Sequence, residues 1–450
     1  MRLFLHLLSN KITYHKLRKH DRTEYIIGLF DNHTRKHMLR LFHTADWHLG
    51  HNLHGISRHL EHQLFLDWLL LELQNKQADA LIVAGDIFDS ANPSAAAQTQ
   101  LYDFLVKART QQPALNIVLI GGNHDSASRL DAPSSILDAL GVTVVGGLVR
   151  DDGVINWDRL LVPLSNAAGD SKVWCGAMPF LRNADLRADD QEDEPLIAGV
   201  KALYTELFTA LQAKATQGEA LILTGHCYMV NGCVSELSER KILGGNQHAL
   251  PVELFPKDIA YVALGHLHLA QKVGANEHIR YSGSPIPLSF DESHYQHQVL
   301  QVDIKKDQPV ETVAIKIPRS IDLLRIPNSK DFAALSTVLE QLEAMDFNDD
   351  LPPEQRPLVE LRIKLEKPEP GLRQQVEEVI AKLPVRLLKI STAYSGSNKS
   401  LADITIEERL EELQPLDVFQ RCYQNKFDQE APENMNTLFN ELLENFRAKQ

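Results

Sequence analysis

Five short, largely apolar runs, each closed abruptly by glycine, carboxylate or imidazole, constrain this chain more than any other feature. They are Leu39 to Phe42, Ala80 to Ala84, Asn116 to Ile120, Ala220 to Leu223 and Ile259 to Leu264. Runs of this kind without polar alternation read as strands buried on both faces. Amphipathic helical stretches separate the early ones, such as Leu60 to Leu73, whose Leu60, Leu64, Trp68 and Leu71 are expected on one face. Strand and helix therefore alternate, which predicts an α/β fold whose sites lie beyond the carboxyl ends of its strands.

The chemistry sits directly after each run, in "TADWH", "GDIFD", "GGNHD", "GHC" and "GHLH". A sheet would gather these endings at one edge and place Asp46, His48, Asp86, Asn123, His124, Asp125, His226, His266 and His268 together there. Histidine accounts for only 19 of 450 residues, so five imidazoles landing just past predicted strands is not a pattern that chance supplies. Any one of them alone would read as a hydrogen-bonded structural histidine. Together they predict a metal site. Imidazole, carboxylate and amide oxygen without thiolate suit Mn, Fe or Zn rather than a structural cysteine–zinc site. Seven such donors exceed one tetrahedral ion, so two ions are expected. A pair about 3.5–4 Å apart can activate water and grip phosphate oxygens in an in-line displacement. Asp46 and His48 are then ligands of the first ion, and Gly85, Gly121, Gly122, Gly225 and Gly265 would let the backbone turn toward it.

A length of 450 residues predicts two or three domains. A hydrophobic content of 44% with 24% charged residues is that of a soluble globular protein. The formal net charge of −14 argues against gripping nucleic acid through the overall field, because phosphate neutralisation needs clustered Lys and Arg. Metal ions or a partner would have to make up the deficit. Cys175, Cys227, Cys233 and Cys422 form no CxxC pair, which suits a reducing cytoplasm. The run from Leu3 to Leu8 is too short to span a membrane and no small-residue cleavage site comes after it, so a cytosolic protein is expected. Residues 1–37 carry eight Lys/Arg against three Asp/Glu, and Met38 stands directly before the first strand. This stretch reads equally as an extension upstream of a start at Met38 and as a basic arm.

Strands near Gln298 to Val302 and Val313 to Ile317 are expected to close a catalytic domain over 38–317. Residues 318–392 then predict a small α+β unit: strand Ile321 to Ile326, helix Phe332 to Met345, strand Leu358 to Leu365, helix Leu372 to Leu383 and strand Val385 to Ile390. The polar text "STAYSGSNKS" reads as a linker, set at 393–404. Two amphipathic helices are expected over 405–450. Leu416, Phe419, Tyr423 and Phe427 line one, and Met435, Leu438, Leu442 and Phe446 line the other.

The ordered motifs D-x-H, G-D-x-x-D, G-N-H-D, G-H and G-H-x-H, from Asp46 to His268, resemble those of the calcineurin-like metallophosphoesterases. Within that superfamily "HTADWHLG", "VAGDIFD", "GGNHDS", "YVALGHLH" and "YSGSPIPLSFDE" resemble the SbcD-type nuclease subunits. The resemblance implies a sandwich of two sheets flanked by helices, with a capping domain and a C-terminal helical pair. It implies that Asp46, His48, Asp86 and His268 hold one divalent ion and Asp86, Asn123, His226 and His266 the other, Mn²⁺ foremost and Mg²⁺ as the alternative. His124 would act on the scissile phosphate and Asp125 would orient it. His51, His54 and Asp89 read as loop residues around the ligands. The implied activity is 3′–5′ exonuclease on double-stranded DNA and endonuclease on single strands and hairpins, in DNA end processing, replication and recombination. The implied partner is an SbcC-type coiled-coil ATPase gripped by the C-terminal stripes, in a heterotetramer-like complex containing two copies of this chain as a dimer. "GDIFDSAN" and "GNHD" depart from the text of phosphoprotein phosphatases in the superfamily, which disfavours that branch. A small-molecule phosphodiesterase and a metal-free scaffold remain as alternatives.

Overall fold

Both faces of the apolar runs are covered, as their composition demands. The computed structural model describes residues 37–186, 195–230, 249–329, 331–367, 369, 371–394, 423 and 435. The chain divides into two units, Met1–Asp322 and Leu323–Gln450. In the first, strands β1 (Met38–Thr44), β2 (Ala80–Ala84), β3 (Asn116–Ile120) and β4 (Val142–Val145) are followed by β5 (Leu161–Ser165) and β6 (Lys172–Gly176). Then come β7 (Ala220–His226), β8 (Tyr261–Gly265), β9 (Gln271–Val273), β10 (Asn276–Tyr281), β11 (Gln298–Lys305) and β12 (Glu311–Lys316). They build two six-stranded sheets, in the orders β12-β11-β1-β2-β3-β4 and β9-β10-β8-β7-β6-β5.

Period-two alternation sorts the side chains of the first sheet. Leu39, Leu41, Ile82, Val118 and Ile120 join Ile222, Val262 and Leu264 of the second sheet in one core. Phe42, Leu81, Val83, Ile117 and Leu119 face the other way, into a core shared with α1 (His59–Asn75) and α2 (Ala95–Gln111). Between the sheets, His43 meets the Tyr261 hydroxyl at 2.9 Å and the Leu264 carbonyl at 3.2 Å. Burial pushes this imidazole down to about 3, so it is neutral, donating to the carbonyl and accepting from the hydroxyl.

The face that α1 buries differs from expectation. His62, Phe65, Leu66, Leu69, Leu70 and Leu73 are buried, whereas Leu71 is 58% exposed. Apolar residues surround most of this helix, so spacing alone does not choose a stripe and contact with the sheet does. Two short helices, α3 (Ala127–Asp131) and α4 (Ser134–Ala139), follow β3. Pro133 lies between them, and it neither donates a main-chain hydrogen bond nor fits an uninterrupted helix. Helix α5 (Pro195–Lys214) buries Leu203, Leu207 and Leu211 against the second sheet, where a Cβ on Gly176 would meet both Leu207 and Leu223.

Parallel pairing of β1 with β2, of β2 with β3, and of β7 with β8 brings their carboxyl ends into line. There the two sheets touch backbone to backbone: a Cβ on Gly265 would collide with the Ala84 carbonyl oxygen. Gly265→Ala is accordingly expected to destabilise the unit by about 1–3 kcal/mol, the usual cost of overpacking, read as a lower urea midpoint. An unchanged midpoint would mean that the sheets can separate here without loss.

In the second unit β13 (Leu323–Ile326), β14 (Leu358–Leu365) and β15 (Arg386–Tyr394) pair in parallel. Helices α6 (Leu335–Glu343) and α7 (Leu372–Ile380) bury Val338, Leu342 and Val376 against Val359, Leu361 and Ile363. Ser391 to Tyr394, expected as linker, extend β15 by pairing with Arg362 to Leu365. An open ladder edge decides this, because polar side chains are no obstacle to main-chain pairing. Residues 1–36 and the rest of the linker lie outside the described residues, as do Leu416, Phe419, Phe427, Leu438, Leu442 and Phe446. Tyr423 and Met435 are described as helical, the first half-buried and the second exposed.

Candidate metal centre

Each donor sits where a strand ends. Asp46 and His48 follow β1, Asp86 follows β2, Asn123 follows β3, His226 closes β7, and His266 and His268 follow β8. Asp46 (φ 53°), His48 (φ 47°), Asp86 (φ 48°) and His266 (φ 100°) have left-handed backbone. Of the five glycines expected to make these turns only Gly85 (φ 89°) has a positive φ. The donors themselves therefore take the sharp turns, at about 1–3 kcal/mol each. Hydrogen bonds between strand ends offset that cost. The Asp46 N–H donates to the Gly85 carbonyl and the His48 N–H to the Asp86 carbonyl, both at 3.0 Å. Asp46 Oδ1 accepts the His266 N–H at 2.9 Å, and Asp86 Oδ1 accepts the His124 N–H at 2.8 Å. Trp47 anchors the first turn from behind: it is fully buried, edge-on to Phe104 at 5.4 Å, and donates to Thr44 Oγ1 at 3.0 Å.

Two carboxylates, one amide and four imidazoles converge from these turns. Asp86 Oδ2 lies 3.6 Å from His48 Nε2 and 3.3 Å from His226 Nε2. Asn123 Oδ1 lies 2.9 Å from His226 Nε2 and 3.0 Å from His266 Nδ1. The donor atoms of Asp46, His48 and His268 fall within 4.8 Å of one another, as do those of Asp46, Asp86 and His226. His226 Nδ1 donates to the Ala84 carbonyl at 2.9 Å, His268 Nδ1 to Glu292 Oε1 at 2.9 Å, and His48 Nδ1 lies 3.3 Å from Asp89 Oδ1. With Nδ1 committed in this way, Nε2 would be the nitrogen that His226 and His268 offer to a cation.

The electrostatics suit cations. Burial pushes the Asp46 carboxyl up to about 6. Burial would also raise Asp86, yet the imidazoles of His226, His48 and His124 outweigh it and hold this carboxyl well below its ordinary range. Against its own burial, His226 is raised to about 9 by the Asp86 carboxylate, whereas burial lowers His48 to about 4 and His266 to about 3. Asp46 Oδ2 and both ring nitrogens of His48 are buried without a hydrogen-bond partner. Orphaned polar atoms of this kind are costly unless something binds them.

His124 stands beside the donors, its ring 4.8 Å from that of His48. Its Nδ1 bonds the Asp89 carbonyl at 2.9 Å. Asp125, expected to orient His124, has both oxygens on main-chain amides. Asp125 Oδ1 accepts the Phe88 N–H at 2.9 Å, and Oδ2 accepts those of Ile87 at 3.0 Å and Gly122 at 2.9 Å. Three buried amides would otherwise go unpaired, and their need outranks a neighbouring ring. Asp125 thus ties the loop after β2 to the loop after β3. His51 is no donor to the centre either: its nitrogens meet Asp89 Oδ1 at 2.9 Å and the Leu288 carbonyl at 3.1 Å. His54 is exposed and stacks on Phe290 at 6.4 Å. Glu292 and the Ala84 carbonyl were not legible as supports for the donors, although Glu292 closes the stretch "YSGSPIPLSFDE".

The family model described as calcineurin-like phosphoesterase matches residues 39–270, and one described as type 5 capsule protein repressor C-terminal domain matches residues 319–427. A Rhodobacter capsulatus protein, named as the D component of nuclease SbcCD, is 39% identical over 355 residues, covering 78% of this chain and 86% of that one. The chain belongs to the SbcD family of calcineurin-like phosphoesterases. An Escherichia coli K12 relative of the same name is 32% identical over 425 residues, covering 90% of this chain and 98% of the relative. Its Bacillus subtilis counterpart is 35% identical over 271 residues, covering 59% and 66%.

The donor set fits the dinuclear metal site of a calcineurin-like phosphoesterase, with Asp86 lying against both His48 and His226. Cation binding here must displace protons, since coordinating imidazole is neutral. Below about pH 9 the metal-free His226 carries a proton, and below about pH 6 Asp46 carries another. Apparent metal affinity is therefore expected to rise with pH and to level off near 9. Calorimetry at pH 7.5 in buffers of different ionisation enthalpy should register about one proton released from His226. Release of none would mean that Asp86 does not charge His226.

Proposed function

We propose that this chain is the nuclease subunit of an SbcC-partnered complex and hydrolyses phosphodiester bonds in DNA at the two-cation centre. The observation that carries the reading is the complete donor set of Asp46, His48, Asp86, Asn123, His226, His266 and His268, gathered at aligned strand ends in a chain of the SbcD family. Asp46, His48 and His268 would hold one cation and Asn123, His226 and His266 the other, with Asp86 between them. Two divalent cations supply Lewis acidity toward phosphate oxygens and a nucleophile from water at neutral pH. Mn²⁺ is the proposed metal, in keeping with imidazole, carboxylate and amide donors. His124, committed through Nδ1 to the Asp89 carbonyl, keeps Nε2 for the phosphate, where it stabilises charge and protonates the departing 3′ oxygen.

The net charge of −14 leaves DNA grip to the partner. We place SbcC binding on the apolar stripes of 405–450, with the second unit shaping the DNA path. Two copies of this chain would assemble with SbcC in the cytoplasm; among the described residues no helix is long and apolar enough to cross a membrane. The test is cleavage of blunt and hairpin DNA in Mn²⁺ or Mg²⁺, with and without SbcC and ATP. ATP-stimulated cutting in Mn²⁺ is expected, and cleavage of small phosphodiesters alone would favour the small-molecule enzyme. Removing residues 405–450 should abolish co-purification with SbcC while leaving metal binding intact. Undiminished SbcC binding by that truncation would move the docking site elsewhere.

A further inference from the structure

The two halves of the centre are supported differently. Behind His226 stands a main-chain carbonyl, that of Ala84. Behind His268 and His48 stand carboxylates. Glu292, fully buried, accepts the His268 Nδ1–H through Oε1 at 2.9 Å and the Leu288 N–H through Oε2 at 2.7 Å. The Leu288 carbonyl meets His51 Nε2 at 3.1 Å, and His51 Nδ1 meets Asp89 Oδ1 at 2.9 Å. Asp89 Oδ1 lies in turn 3.3 Å from His48 Nδ1. A continuous belt of polar contacts therefore runs from His268 through Glu292, Leu288, His51 and Asp89 to His48. Among the described residues it passes behind one half of the centre only.

We propose that Glu292 is a positioning residue that makes the Asp46–His48–His268 half the tighter of the two cation sites. A carboxylate behind a coordinating imidazole fixes its tautomer and ring orientation and makes its other nitrogen a stronger donor. Glu292 serves this half by a hydrogen bond to His268 and Asp89 by its charge 3.3 Å from His48 Nδ1, and in the proposed assignment this half also has Asp46 as a charged ligand. The opposite half shares Asp86 but otherwise offers the neutral amide of Asn123 with His226 and His266. The difference in negative charge sets the order of filling. The inference rests on the dinuclear reading of the centre, but no substrate enters its test, so it and the nuclease reading fail separately.

The test is Mn²⁺ binding to the full chain, measured by equilibrium dialysis and electron paramagnetic resonance. Wild-type protein should bind in two resolved steps, with the uncoupled signal of a single ion at one equivalent. Glu292→Gln keeps shape but removes charge, and should weaken the tight step by about 10–100-fold while leaving the weak step in place. Asp89→Asn, at a side chain that is 35% exposed and so less prone to disturb folding, should weaken the same step through His48. Asn123→Ala should instead weaken the second step. Melting of the metal-free variants shows whether each is folded. A folded Glu292→Gln protein with an unchanged tight step, or with both steps weakened alike, overturns the proposal. If that variant does not fold, an unchanged tight step in Asp89→Asn overturns it.

Discussion

Asp86→Asn is expected to cut phosphodiester hydrolysis by about 10³-fold or more and to leave the purified protein short of both cations. The Asp86 carboxylate lies against His48 at 3.6 Å and His226 at 3.3 Å, between the two donor groups. Removing its charge weakens two sites at once, and Lewis-acid stabilisation worth several kcal/mol is lost at about 1.4 kcal/mol per decade of rate. His226 also loses the neighbour that keeps it charged in the metal-free centre. Asparagine keeps an oxygen that can accept the His124 N–H, so the loop after β3 should hold its shape. Metal content by mass spectrometry, with turnover of a chromogenic phosphodiester and of DNA, measures both effects. Two tightly bound ions with normal turnover would remove Asp86 from the bridging position.

His124→Ala should slow hydrolysis by about 10²–10⁴-fold, the usual range for a general acid or base, with both cations retained. The distinction matters because a ring nitrogen of His124 falls within 4.8 Å of donor atoms of His48 and Asp86, close enough for a ligand role. Its Nδ1 is occupied by the Asp89 carbonyl, which favours action on the phosphate through Nε2. A substrate with a good leaving group, which needs no protonation, should recover much of the lost rate. Loss of one cation from the variant would instead make His124 a ligand.

The set of strand ends and the kind of chemistry placed on them were legible from the residues alone. Continuous apolar runs demand cover on both faces, and parallel pairing of such runs aligns their carboxyl ends, so Asp46, Asp86, Asn123, His226 and His268 could be assigned to one edge before any contact was known. Which group each side chain touches was decided only by the tertiary structure. Asp125 adjoins His124 in the chain yet commits both oxygens to the amides of Ile87, Phe88 and Gly122, because a buried carboxylate takes the donors that surround it in space. Glu292 lies 24 residues from His268 and still supports its ring, a pairing that spacing does not encode. Leu71 fits a helical stripe but faces solvent, since on a helix that is apolar almost all round the sheet chooses the buried face. The left-handed turns at Asp46, His48, Asp86 and His266 were equally hidden. Local propensity assigns such turns to glycine, and only hydrogen bonds between strand ends distant in the chain hold them at these residues.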